Sequence, residues 1–216
     1  MRLPALVINC KAYPQATGKN ALSFARKCER VAAGSGVPVI LCVQACDIGY
    51  VAGHVRIPVF AQHVDAEPGA HTGNIVLESV LAAGAQGTLL NHAERPLPLS
   101  TIKKTIAACK RRKFPVIACA ATLAQARRIA LLRPACIAVE PPGLIGSGIS
   151  VSVADPSLIR RSVALPVPVL CGAGIHSKTD VRAALALGAA GVLVASAVVQ
   201  TRYQQRVIAE LAAGFS

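Results

Sequence analysis

Short apolar runs return along this chain at regular intervals. LPALVIN (3–9), VPVILCV (37–43), PVFAQH (58–63), GTLLN (87–91), PVIACA (115–120), CIAVE (136–140), PVLCGAG (168–174) and GVLVAS (191–196) predict eight strands. The segments between them predict helices over 20–33, 75–83, 99–112, 122–132, 155–162, 177–187 and 203–213, with a short helical turn at 47–53. Thr122 and Ser177 suit N-caps, Asp155 and Pro156 open a helix, and Gly188 ends the one begun at Ser177.

The strand runs are continuously apolar rather than alternating, as expected when both faces of a sheet are covered. Strands joined through helices run parallel. Eight such units in 216 residues predict a compact α/β fold, a single (β/α)8 barrel spanning 1–216 as one domain. The rival, a doubly wound open sheet, normally carries a glycine-rich turn after its first strand. Here that position reads NCKAYP.

Composition narrows the picture further. Hydrophobic residues make up 53% and charged ones 15%, which excludes a disordered chain. The formal charge of +13 attracts anions. Its lysines and arginines stand in small groups near predicted helix ends, where cations suit the dipole. Aromatics are 3% of the chain, too few for stacking on bases, so no nucleic-acid partner is expected. Eight scattered cysteines contain no CxxC pair, so they are expected to be reduced, and the chain cytoplasmic. His63 and His71 flank Asp65, a pattern read as strand and loop polarity; no metal is expected. The stretch 183–201 is uncharged over 19 residues, but LGAAG divides it into a helix end and a strand, so no membrane span is expected.

Barrel chemistry gathers at the carboxyl ends of strands. Those ends hold Asn9 and Lys11, then Asn91, His92 and Glu94, then Glu140, then GAG (172–174), then Ala195 and Ser196. The small-residue turns let backbone N–H groups approach a phosphate, with a helix dipole starting near Ser177. A carboxylate can take a proton from carbon beside a carbonyl if the enolate is stabilised. Lys11 offers positive charge and His92 a hydrogen bond to that oxyanion. With no nucleophile–base pair and no second catalytic carboxylate, proton abstraction fits better than acyl transfer or glycoside hydrolysis.

The motifs NCK (9–11), QHVD (62–65), HTG (71–73), NHAE (91–94), EPPGLIGSG (140–148), CGAGI (171–175) and VLVAS (192–196) resemble the triosephosphate isomerase family, in its short archaeal form. The resemblance covers essentially the whole chain. It implies interconversion of dihydroxyacetone phosphate and glyceraldehyde 3-phosphate, with no cofactor, by a homodimer or homotetramer. Glu140 becomes the base, His92 the electrophile and Lys11 the charge stabiliser, with Asn9 hydrogen-bonding nearby and Glu94 in support. Ile145, Gly146, Gly174, Ala195 and Ser196 become the phosphate holders. Pro141, Pro142 and the glycines at 143, 146 and 148 become a lid. Ala93 departs from a common Ser, Gly143 from a larger residue and Ser147 from Thr. Two alternatives stand beside this one: another phosphosugar-binding barrel isomerase or synthase, and a catalytically inert barrel holding RNA on its basic surface.

Overall fold

The structure, a computed structural model, describes residues 1–144 and 150–216. Eight strands form a closed parallel barrel in sequence order: β1 (Ala5–Asn9), β2 (Val39–Val43), β3 (Val59–Ala61), β4 (Thr88–Leu90), β5 (Val116–Ala120), β6 (Cys136–Val139), β7 (Val169–Cys171) and β8 (Gly191–Val194). β8 closes on β1, with Ala5 opposite Gly191 and Ile8 opposite Val194. Helices α1 (Ala21–Ser35), α2 (Ile48–Ala52), α3 (Leu77–Ala82), α4 (Leu99–Arg111), α5 (Leu123–Ala130), α6 (Val151–Ala154), α7 (Pro156–Val163), α8 (Lys178–Ala186), α9 (Ser196–Val199) and α10 (Gln204–Ala212) join and cover them. The predicted barrel is the observed one.

Prolines set where strands begin. Pro38, Pro58, Pro115 and Pro168 each directly precede a strand, where a missing N–H leaves no ladder bond unmade. Their carbonyls still accept from the neighbouring strand, from the N–H groups of Leu6, Leu41, Thr88 and Ile137 at 2.9–3.0 Å. The predicted caps hold as well. Thr122 accepts from the Gln125 N–H, Asp155 from the Leu158 N–H, and Ser177 closes a capping box with Asp180. Gly188, at φ 93°, follows the end of α8.

Successive strand residues face opposite ways, and the two sides pack into separate cores. Ala5, Val7, Ile40, Cys42, Phe60, Leu89, Ile117, Cys119, Cys136, Ala138, Leu170 and Leu193 fill the barrel interior. Their neighbours Leu6, Ile8, Leu41, Val59, Leu90, Ala118 and Ile137 pack outward with the helices. Interior space is tight at the amino-terminal end. A Cβ on Gly87 would stand 2.3 Å from the Phe60 ring, and one on Gly191 would stand 2.1 Å from the Ala5 carbonyl oxygen.

The same alternation decides what reaches the other end. One step of two beyond the last interior residue of each strand lie Asn9, Gln44, Gln62, Asn91, Ala121, Glu140, Gly172 and Ala195. Strand period alone therefore aims a ring of polar or small residues into the carboxyl-terminal mouth.

The eight cysteines are all free thiols, seven of them buried and Cys46 exposed. Among the described residues no helix is long and apolar enough to cross a membrane; the uncharged stretch 183–201 is α8's end, β8 and α9.

Candidate active site

Lys11 follows β1 in a left-handed conformation, φ 47°, that a side chain adopts only under constraint. The constraint is visible. The Lys11 N–H donates to Asn9 Oδ1 at 2.9 Å, and its carbonyl accepts from Gln44 Nε2 at 2.8 Å and Gln62 Nε2 at 2.9 Å. Gln44 and Gln62 also bond each other, Nε2 to Oε1, at 2.9 Å. The backbone of Lys11 is thus clamped while its side chain, 11% exposed, carries the ammonium to Glu94 Oε1 at 2.6 Å.

Asn91 turns the chain after β4, also left-handed at φ 60°. Its Nδ2 donates to the Cys119 carbonyl and its Oδ1 accepts from the Leu97 N–H, both at 2.8 Å. This presents the buried His92. Its Nδ1 accepts from the Glu94 N–H at 3.1 Å, so that nitrogen carries no proton and the neutral ring bears its proton on Nε2. Burial lowers the His92 pKa from 6.5, with Glu94 pulling it up and Lys11 pushing it down. A neutral imidazole with Nε2–H facing the mouth is a hydrogen-bond donor.

Nε2 stands 3.6 Å from Glu140 Oε1. Glu140 directly follows β6, held by its N–H bond to the Ala120 carbonyl at 2.9 Å, and is 3% exposed. Burial pushes its pKa from 4.5 up to about 7, against the lowering by a Cys119 hydrogen bond and by Lys11. Among the described residues its buried Oε2 has no hydrogen-bond partner. Room for it comes from Gly172, where a Cβ would lie 2.5 Å from Glu140 Cγ.

Asn9, Lys11, His92 and Glu140 share one pocket with 172–176 and 193–197. The mouth therefore gathers five more of the expected site positions, Asn9, Gly174, Ala195, Ser196 and Glu94, around the three chemical groups; Glu94 reaches them through Lys11. Ile145 and Gly146, with Gly148 of the expected lid, lie outside the described residues. Two helix starts border the pocket, that of α8 through Ile175 and His176 and that of α9. At α8 the Asp180 carboxylate already accepts from the His176 and Ser177 N–H groups, so those donors are taken. The start of α9, at Ser196 and Ala197, lines the pocket as well.

Two working residues escaped the sequence reading, Gln44 and Gln62. Counting by twos from Cys42 and Phe60 would have found them. His63 Nε2 bonds Asp65 Oδ1 at 2.9 Å, and Asp65 Oδ2 accepts from the Ile75 N–H at 2.8 Å, closing the loop. His71 is exposed in that loop, and the described residues contain no cluster able to hold a metal.

A buried carboxylate, an imidazole N–H and an ammonium thus meet at the carboxyl-terminal end of a closed parallel barrel, an arrangement suited to moving a proton on a small anionic molecule. Comparison makes this specific. A family model described as triosephosphate isomerase matches residues 4–211. The triosephosphate isomerase of Methanothermus fervidus is 42% identical over 98% of each chain, and that of Methanopyrus kandleri 44% over 99% of each. A crystal structure of triosephosphate isomerase from Bartonella henselae shares the fold, with a TM-score of 0.77 at 17% identity and 98% of each chain covered. The chain belongs to the triosephosphate isomerase family, a family of isomerases.

Proposed function

We propose that this chain interconverts dihydroxyacetone phosphate and D-glyceraldehyde 3-phosphate. The observation that carries the proposal is the convergence of the Lys11 ammonium, the His92 Nε2–H and the Glu140 carboxylate on one pocket beside the 172–176 turn.

Glu140, ionised, takes the proton from the carbon beside the carbonyl. The electron pair left behind makes the carbon–carbon bond of an enediolate, and negative charge grows on the former carbonyl oxygen. His92 Nε2–H donates to that oxygen, and Lys11 faces it with fixed positive charge. The hydroxyl proton on the adjacent carbon passes to the former carbonyl oxygen, and Glu140 returns its proton to the carbon that bore that oxygen, which leaves the new carbonyl on its neighbour. Only protons change place, so the reaction calls for no redox partner and no cofactor. The buried Glu140 is a stronger base than an exposed one, because burial destabilises its charge. We assign the phosphate to the backbone near Gly174, Ala195 and Ser196, with Ile145 and Gly146, and Asn9 to the substrate's edge.

We further read the protein as cytoplasmic and as a homodimer or homotetramer. The exposed run 67–74, next to a cavity of about 210 Å³ lined by Lys11, Gln44, Gln62 and Glu94, supports that assembly. Light scattering on purified protein checks it. The activity is tested by a coupled assay with each triose phosphate. Turnover in both directions is expected; a folded protein with no turnover in either would contradict the proposal.

A further inference from the structure

Ten of the 23 lysines and arginines lie within residues 95–139, and none of the ten carboxylates does. The rest of the chain sets thirteen cations against ten carboxylates. Most of the +13 charge therefore belongs to one sector, α4 and α5 with the turns beyond them. Apart from Arg95 at the mouth, these cations are exposed on the helices or just past their ends. Among the described residues carboxylates reach two of the ten, Glu67 at Lys104 (2.8 Å) and Glu78 at Arg112 (3.1 Å). Packed beside α5, α7 adds Arg160 and Arg161.

Helix dipoles account for part of this, since Lys110, Arg111, Arg127 and Arg128 stand in last turns. They do not account for Lys113 and Arg133. These follow the helix ends at φ 52° and 49°, where glycine is the usual choice. With Lys110 they rim a cleft of about 260 Å³ with Phe114 and Pro134 in its lining. Residues of the cleft lead into β5 and β6, whereas His92 and Glu140 follow β4 and β6. The cleft therefore lies at the other end of the barrel from the isomerase site.

We propose that this cleft and its surrounding helix faces bind a polyphosphate chain, separately from the triose phosphate site. Charge complementarity argues for a polyanion. The kind of polyanion follows from the aromatics. Phe114 is the one aromatic residue within 95–139, and it is 5% exposed. No ring is offered for stacking a base, so recognition rests on charge density. A phosphoanhydride chain supplies that density without needing a base platform. It is the shared chemistry of inorganic polyphosphate and of a nucleotide's triphosphate tail.

The test is calorimetric titration of the full chain with inorganic tripolyphosphate, long-chain polyphosphate, ATP and a single-stranded RNA, with 2-phosphoglycolate saturating the isomerase site. Affinity should rise with phosphate chain length and fall steeply with salt. ATP should bind no tighter than tripolyphosphate. The variant Lys110→Gln/Lys113→Gln/Arg133→Gln should weaken binding about tenfold or more, and lower the log–log salt slope by about one per cation removed. Its triose phosphate turnover should be unchanged. Lys113→Gly/Arg133→Gly keeps residues suited to those backbone angles and should weaken binding in the same direction. Removing three cations elsewhere, Arg182→Gln/Arg202→Gln/Arg206→Gln, should have a far smaller effect. Equal loss in that control, undiminished binding by both cleft variants, or competition by 2-phosphoglycolate would overturn the proposal. Tighter binding of RNA than of polyphosphate at equal phosphate number would also overturn it, and assign the face to nucleic acid.

Discussion

The two ends of the barrel interior are built from the same strands and in opposite ways. At the amino-terminal end Val7, Ile40, Phe60, Leu89 and Ile117 fill the space, and glycines at 87 and 191 let neighbours approach within a Cβ's reach. That end gains apolar burial and asks nothing polar of its residues. At the carboxyl-terminal end the same strands deliver Asn9, Asn91, His92 and Glu140 into a buried mouth. Two residues are bent into left-handed backbone, one carboxylate oxygen has no partner among the described residues, and a carboxyl pKa is displaced. The contrast teaches that the lower layers supply the stability that the mouth gives up. Mutations at the two ends should then separate, with activity moving at one and stability at the other.

The sharpest separation is Glu140→Gln. Loss of the base should lower kcat by about 10³-fold, within the range for positioned proton-transfer groups. Stability should move the other way. Because folding raises the Glu140 pKa from 4.5 to about 7, its ionisation costs the folded state nothing below pH 4.5, a growing amount up to pH 7, and a constant amount above. Chemical denaturation at pH 8 should find the Gln variant more stable by about 3 kcal/mol, and the gain should vanish at pH 4. A variant that is both inactive and less stable at pH 8 would break the comparison.

Phe60→Ala tests the lower end. Removing a fully enclosed ring should cost about 3–5 kcal/mol in denaturant unfolding, with kcat of the folded enzyme little changed. Gly172→Ala tests the boundary between the two. Its Cβ would collide with Glu140 Cγ, so the carboxylate must shift, and kcat/KM should fall about 10²-fold while circular dichroism stays that of the parent. The smallest effect is in the pH profile. With the base titrating near 7 in the free enzyme, kcat/KM should fall about tenfold per unit below that pH. A plateau extending down to pH 5 would mean that Glu140 is ionised as an ordinary carboxylate.

Much of this was readable from the chain. Eight apolar runs, their leading prolines and the caps at Thr122, Asp155 and Ser177 mark a barrel, and the residues after each run mark its mouth. The shortfalls have physical reasons. Strands β3, β4 and β7 are shorter than their apolar runs; after β4 and β7 the chain turns through left-handed residues at Asn91 and Gly174. Helices α6 and α9 span four residues each, too short to display a helical period. The bend at Lys11 could not be seen, because it is imposed by Gln44 and Gln62, which are distant in sequence. Ser177 opens a helix as read, but Asp180, three residues on, takes the donors an anion would use.

The central claim is that Glu140 moves a carbon-bound proton within a pocket shared with His92 and Lys11. It is tested most directly by running the reaction in deuterium oxide and examining recovered triose phosphate by mass spectrometry and NMR. Deuterium is expected at the carbon that exchanges its proton with the base, appearing with turnover in the parent and lost in Glu140→Gln. Full turnover with no deuterium at that carbon, or unchanged incorporation in the Gln variant, would contradict the account.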